Sequence, residues 1–345
     1  MSVPHLDIRI GLGEEEVRVG SAAVLAAVRP AWPAETIQWR TFTDGITNKL
    51  VGAWCGNRAD TVLVRVYGHG TDKIIDRAAE VENMRLLQEL GLASARLYAT
   101  FQNGLCYEFL AGRVADCAAV QEPGVARAVA AAMAALHSVP LPRPGPALLW
   151  PRLERFAEVA GRPAGRLGKD WLSPKDLQAE LTGLRRLLET AASPVVFCHN
   201  DALLANIVIR QQPDLSSSMT VAFIDLEYAG PNYAAFDIAN HFCEFVGCEG
   251  ELDYPGLLPT REYQLAWLKR YMQEAGLPAE QLETIYHEVQ LFMLAAHLLW
   301  SIWSVIQAAN SSIEFDFVEY ALQRLREYRR WKAKLGVPFS SESKK

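Results

Sequence analysis

The sequence predicts an α+β protein of two lobes: a small β-rich N-terminal lobe over residues 1–110 and a larger, mostly α-helical C-terminal lobe over 111–345. Three observations carry this. Five strand-like segments and one intervening helix crowd into the first lobe. Beyond Gly112 the texture changes to apolar stripes of helical period. And 345 residues, 50% apolar and 21% charged, suffice to build a sizeable core in each lobe.

The first helix is expected over Ser21–Val28, stopped by Arg29-Pro30. TIQWRTFTDGITNKLVGAWC reads as strand, turn and strand, with Asp44-Gly45 as the turn. TVLVRVYG (61–68) is a third strand, and a helix from about Asp72 to Leu90 follows. ARLYATF and LCYEFLA are two short strands joined at Gln102-Asn103-Gly104. In the second lobe VARAVAAAMAALHSV (125–139) is a helix stopped by a Pro-rich stretch, 161–170 is a loop, and KDLQAELTGLRRLLETAA is an amphipathic helix. VVFCHND, NIVIR and TVAFIDLE are short strands, the last two separated by a polar turn. The rest is helical to about Trp331, and the tail from about 336 is expected to be disordered.

Charge and composition exclude several classes. The net charge of −6 leaves no basic footprint for nucleic acid and no polybasic membrane anchor. The N-terminal twenty residues lack an apolar run of signal-peptide length. Six cysteines show no zinc spacing and read as free thiols in a reducing, cytoplasmic compartment. Val289–Ile313 carries no charged residue and is long enough to span a bilayer, but its recurring polar residues and mid-segment tryptophans mark a buried core helix instead. Gly11-Leu12-Gly13 resembles the start of a phosphate loop, but the three glutamates that follow would repel an anion.

Chemistry concentrates in residues 195–230, which hold H-x-D-x-x-x-x-N (His199, Asp201, Asn206) followed by a hairpin and an apolar strand ending at Asp225. Phosphoryl transfer from MgATP needs hard oxygen ligands, which Asn206 and Asp225 can supply. It also needs an acceptor for the hydroxyl proton, and Asp201 can be that acceptor. Each residue alone has a plain structural reading, because Asp and Asn commonly form turns and caps. Their combination behind a β-rich lobe is what points to a kinase. His199 and Asn200 read as orienting groups for the loop backbone.

FTDGITNKLVG (42–52), VLVRVYG (62–68), TFQNGLCYEF (100–109), VVFCHND, FIDLEYAG (223–230), NYAAFDIANHFCEF (232–245) and the run 292–321 together resemble the choline/ethanolamine kinase family, its ethanolamine kinases above all. That resemblance covers both lobes. It implies a protein-kinase-like fold, with a nucleotide-binding lobe over 1–110, a catalytic and substrate-binding lobe over 111–345, and MgATP-dependent phosphorylation of a small amino alcohol. For ethanolamine this would be the first step of the CDP-ethanolamine route to phosphatidylethanolamine. By the resemblance Asp201 is the catalytic base. Asn206 and Asp225 are magnesium ligands, and Glu227 is set to reach a second metal or its waters. Gly45, Ile46, Thr47 and Asn48 form the loop over the ATP phosphates. Arg65 contacts the phosphates, oriented by Glu80. Glu108 and Leu110 belong to the segment that pairs with adenine.

Trp300 and Trp303 are three residues apart on one helix and share a face. By themselves they read as core; the resemblance makes them, with Tyr320, an aromatic pocket for an ammonium group, with Glu244 as the acidic residue beside it and Asp237 as a second candidate. HNDALLAN departs from the family by losing polar options at Ala202, Leu203 and Ala205, and Ala239 replaces a usual glycine; no proposed metal ligand is lost. The alternatives are a choline kinase or a dual enzyme, and, in another class, a non-catalytic pseudokinase sensor. Family members can dimerise, so a homodimer is one expectation of the resemblance.

Overall fold

The computed structural model describes residues 3–42, 48–68, 74–92, 95–141, 145–161, 170–211, 219–247, 250–311 and 314–339. The chain divides into two compact units, Met1–Gly112 and Arg113–Lys345.

In the first unit run β1 (His5–Leu6), α1 (Glu14–Val28), β2 (Ile37–Phe42), β3 (Asn48–Cys55), β4 (Val62–Tyr67), α2 (Arg77–Glu89), β5 (Leu97–Phe101) and β6 (Gly104–Glu108). They make a six-stranded sheet in the order β1-β5-β6-β4-β3-β2. Neighbours are antiparallel except β1 and β5, which run parallel. Val17, Val24 and Leu25 of α1 are buried in one core with Val51, Ala53, Val62, Val64 and Val66. Helix α1 begins well before Ser21, because the Glu16 carboxylate accepts the Gly13 N–H (3.0 Å) and three glutamates in the first turn favour the positive helix end. Every residue of β4 from Val62 to Val66 is buried, Arg65 included. Gly104 sits opposite Val66, where a Cβ would strike the Arg65 carbonyl and the Phe101 ring, so only glycine fits.

The second unit contains β7 (Arg113–Val114), α3 (Pro123–His137), α4 (Leu149–Ala160), α5 (Pro174–Leu188), β8 (Val195–Cys198), β9 (Ile207–Gln211), β10 (Met219–Phe223), β11 (Gly230–Tyr233), α6 (Ala234–Cys243), α7 (Tyr254–Leu257), α8 (Arg261–Glu274), α9 (Leu282–Asn310) and α10 (Phe317–Lys334). The strands form two small sheets, β10-β9-β7 and β11-β8. The 29-residue α9 packs against α4, α5, α6, α8 and α10. Its length and hydropathy would suit a membrane span, but 94% of its most apolar window is buried inside the protein. It is the central core helix.

Several expectations change. The strand expected through Glu227 ends at Phe223, because Asp225 takes a left-handed backbone (φ 61°) that no strand accommodates. Strands β1 and β7, of two residues each, and β11, reading Gly-Pro-Asn-Tyr, exist through their pairing partners rather than their propensity. Helix α4, missed beyond the Pro-rich stretch, buries Leu149, Trp150, Leu153 and Phe156. Cys55, Cys106, Cys117, Cys198 and Cys243 are free thiols. The Asp44-Gly45 turn, most of the 161–170 loop and of the polar turn after β9, Cys248, and the tail from 340 lie outside the described residues.

Candidate active site

The loop after β8 is held from beneath by one carboxylate. Asp237, on α6 and fully buried, accepts the His199 N–H (2.8 Å) and the Asn200 N–H (2.7 Å) on separate oxygens. The His137 ring lies 3.1 Å from Asp237 through Nε2, while its Nδ1 meets the Tyr271 hydroxyl at 2.8 Å. Burial alone would push the Asp237 carboxyl up. The His137 hydrogen bond and charge, aided by His199, outweigh it and hold the group below its ordinary value. The expectation that Asp237 faces an amine is therefore corrected: its oxygens are committed to the loop.

With this bracing Asn200 adopts a left-handed backbone (φ 66°), a conformation asparagine tolerates better than most residues. Its side chain locks the turn, donating to the carbonyls of Tyr228 (3.0 Å) and Gly230 (3.3 Å) and accepting from Asn232 (2.7 Å). His199 donates through Nε2 to the Ile224 carbonyl (2.9 Å) and accepts the Asp201 N–H at Nδ1 (3.3 Å). Acceptance at Nδ1 needs the neutral ring, and burial lowers its pKa accordingly. His199 and Asn200 thus shape the backbone that presents Asp201.

Asp201 is 8% exposed. The Asn206 amide donates to its carbonyl (2.9 Å) and to Oδ2 (3.1 Å), which turns the Asn206 amide oxygen away from Asp201. Burial raises the Asp201 pKa well above the usual range. Negative charge on Glu244, Asp225 and Glu227 raises it further, opposed by Arg152. Asp225, Glu227 and Glu244 thus all act on Asp201 through their negative charge. Asp225, Glu227 and the Asn206 amide oxygen are hard-oxygen groups of the kind that suits Mg²⁺, and a divalent cation held by them would offset the negative charge acting on Asp201.

On α9, Trp300 and Trp303 lie edge to face with centroids 5.6 Å apart, and both are nearly buried. Each indole N–H is anchored, Trp300 to Asn240 Oδ1 (2.6 Å) and Trp303 to the Tyr228 hydroxyl (2.9 Å). The Trp300 ring also meets the Tyr228 ring edge-on at 5.4 Å. Tyr228 ties this aromatic pair to the loop that carries Asp201, because its carbonyl receives both Asn200 and Arg152. Glu244 and Tyr320 are brought together by Arg324, whose Nη1 donates to Glu244 Oε1 (2.7 Å) and to the Tyr320 hydroxyl (3.2 Å).

In the first unit, Arg65 and Glu80 form a buried ion pair that Arg77 joins at 3.2 Å. Arg77 also donates to Asn48 Oδ1 (3.0 Å), so the start of β3 and the Arg65–Glu80 pair share one network. At the end of β6, Glu108 N–H goes to the Arg96 carbonyl and Phe109 N–H to Thr61. The buried Leu110 that follows has no partner for its N–H among the described residues. Gly45, Ile46 and Thr47 lie outside those residues.

Sequence reasoning missed Arg77, His137, Arg152, Tyr228, Asn232 and Arg324. Arg152 and Arg324 sit on amphipathic helices among other arginines, where spacing gives no sign of burial. The conspicuous apolar surroundings of Tyr228, in FIDLEYAG, were a usable signal.

The model of the choline/ethanolamine kinase family matches residues 39–329. The chain is 38% identical to mouse ethanolamine kinase 1 over 351 aligned residues, 96% of this chain and 94% of that protein. It is 40% identical to human ethanolamine kinase 2 over 328 residues, 92% of this chain and 82% of that one. Among solved structures, an ethanolamine kinase of Plasmodium vivax superposes with a TM-score of 0.82 at 24% identity, covering 94% of this chain and 91% of that one. With its α+β architecture and its His199–Asp201–Asn206 loop braced on Asp237, this chain belongs to the choline/ethanolamine kinase family.

Proposed function

We propose that the protein is an ethanolamine kinase that transfers the γ-phosphoryl group of ATP to the ethanolamine hydroxyl, giving phosphoethanolamine and ADP. This is the reaction that opens the CDP-ethanolamine route to phosphatidylethanolamine. The observation that carries the reading is Asp201, held on a loop whose backbone Asp237 braces and whose Asp201 carbonyl and carboxylate the Asn206 amide engages.

Asp201 orients the ethanolamine hydroxyl and accepts its proton as the oxygen bonds to the γ-phosphorus and the bond from phosphorus to the β,γ-bridging oxygen breaks. The proton passes to solvent when product leaves. Asn206, Asp225 and Glu227 are the residues that would hold magnesium, and the ion supplies neutralisation of phosphate charge. Arg65, Asn48 and, by the family resemblance, Gly45, Ile46 and Thr47 take the phosphates, and Glu108 and Leu110 the adenine edge. On the substrate side, Trp300, Trp303 and Tyr320 give ring faces to the cation and Glu244 gives the acceptor that a primary ammonium needs for its N–H groups. The identity of 38–40% to named ethanolamine kinases favours this substrate over choline.

Turnover of ATP with Mg²⁺, with ethanolamine and choline side by side, tests the assignment. The expected result is a preference for ethanolamine of about tenfold or more in kcat/KM, about 1.4 kcal/mol. Equal or better use of choline would overturn the substrate. Asp201→Asn is expected to lower kcat by about 10²–10⁴-fold with little change in ethanolamine KM. Near-native turnover by that variant would remove Asp201 from the mechanism.

A further inference from the structure

Arg324 on α10 is completely buried, and among the described residues its hydrogen bonds go only to Glu244 and Tyr320. Its Nε and Nη2 are buried without a partner among the described residues. A guanidinium whose role was to staple the fold would spend its five donors on carbonyls and carboxylates of the scaffold. Arg324 instead directs one nitrogen to two groups of the amine site, with its carbon 5.7 Å from the Tyr320 ring centroid. Glu244 is itself 4% exposed, and a carboxylate so buried needs a cation or donors to offset its lost hydration. Arg324 meets that need through Oε1, which leaves Oε2 as the oxygen available to a substrate.

We propose that Arg324 is a specificity-determining positioning residue: by fixing Glu244 Oε1 and the Tyr320 hydroxyl it sets the acceptor geometry that distinguishes a primary ammonium from a quaternary one. The inference rests on the reading of Glu244 and Tyr320 as amine-site groups. A trimethylammonium has no N–H, so ring faces and total charge hold it, and it is insensitive to the direction of a carboxylate oxygen. A primary ammonium loses affinity when an acceptor swings out of line. Arg324 also brings a positive charge next to the cation site. Removing it would relieve repulsion for either substrate, while only the primary ammonium would lose an aligned acceptor.

The test is a double-mutant cycle on the full-length protein, reading KM and kcat for ethanolamine and choline in wild type, E244Q, R324Q and E244Q/R324Q, with thermal unfolding of each. R324Q is expected to raise ethanolamine KM by about tenfold and to change choline KM by less than about threefold, narrowing the preference. In the E244Q background, R324Q is expected to add little further change in ethanolamine KM, because the two act through one contact. R324K, which keeps a cationic donor, should recover part of the ethanolamine preference, and it carries the same comparison if R324Q does not purify folded. Equal loss for both substrates, or additive effects of the two substitutions, would overturn the role of Arg324 while leaving Glu244 in the site. An unchanged ethanolamine KM in E244Q would instead overturn the reading of Glu244, and the proposal with it.

Discussion

At Asp237 two carboxylate oxygens face three donors: the N–H groups of His199 and Asn200 and the His137 ring. Replacing it with asparagine keeps the volume but turns one acceptor into an NH₂ group opposed to a donor. A buried backbone N–H then loses its partner, and the left-handed turn at Asn200 loses part of what over-determines it. Asp237→Asn is expected to cost about 2–4 kcal/mol of stability and to lower kcat for ethanolamine and choline alike, since the loop carrying Asp201 shifts while the amine pocket does not. Urea unfolding together with steady-state kinetics on both substrates checks this; a selective loss for one substrate would return Asp237 to the amine site. Asp237 and Glu244 lie seven residues apart, two helical turns, in one apolar stretch. Sequence spacing puts the two acids on one face and offers nothing to tell the loop brace from the proposed amine-site acceptor. The distinction comes from what each meets, backbone N–H groups for one and Arg324 for the other.

Among elements, those with strong periodicity were legible: β2 to β6, α2, α3, α5 and α9 follow apolar patterns that record burial directly. Elements defined by pairing or packing were not. Strand β11 exists because Gly230–Tyr233 aligns with Cys198–Val195, and its Gly-Pro-Asn composition reads as a turn. Helix α4 hides behind prolines, and Arg152 was hidden with it; its contact with the Tyr228 carbonyl crosses 76 residues of chain. The Asp-x-x-x-x-Asn motif was readable because one short loop carries both residues. The crossing of α6 and α9 shows how far element packing fixes the proposed amine site: the Trp300 ring has its Nε1 committed to Asn240 on α6. Asn240→Ala should leave that indole N–H buried and unpaired, costing about 1–3 kcal/mol, and should raise KM for both substrates because the ring is no longer held. Tryptophan fluorescence and KM measured on the variant check it, and an unchanged KM would mean that the Trp300 ring is held by packing alone.

Across the whole molecule, three histidines of the second unit are buried in their neutral form. His199, His241 and His297 all have lowered pKa values, burial being the largest cause in each, and His241 is lowered to about 4. His241 donates through Nδ1 to the Ala202 carbonyl (3.1 Å) and is surrounded by Phe242, Phe245 and Trp267. A histidine depressed in the folded state binds its proton in the unfolded chain first. Its contribution to stability is therefore complete above the unfolded value of 6.5 and is lost as pH falls from there toward 4. Asp201, raised in the fold, works in the opposite direction, because protonation relieves its burial. The net acid profile thus mixes both signs, and a difference between two proteins isolates one of them. His241→Gln removes the titrating group and retains an amide donor for Ala202. It is expected to be less stable than wild type at pH 7, through lost packing, but the gap should close by about 3 kcal/mol between pH 7 and pH 4, the linkage value for a shift from 6.5 to about 4. Chemical unfolding of both proteins across that range reads the change. A gap that stays constant with pH would show that His241 takes up its proton in the folded protein as readily as in the unfolded chain, and would move the origin of acid lability to the other buried histidines.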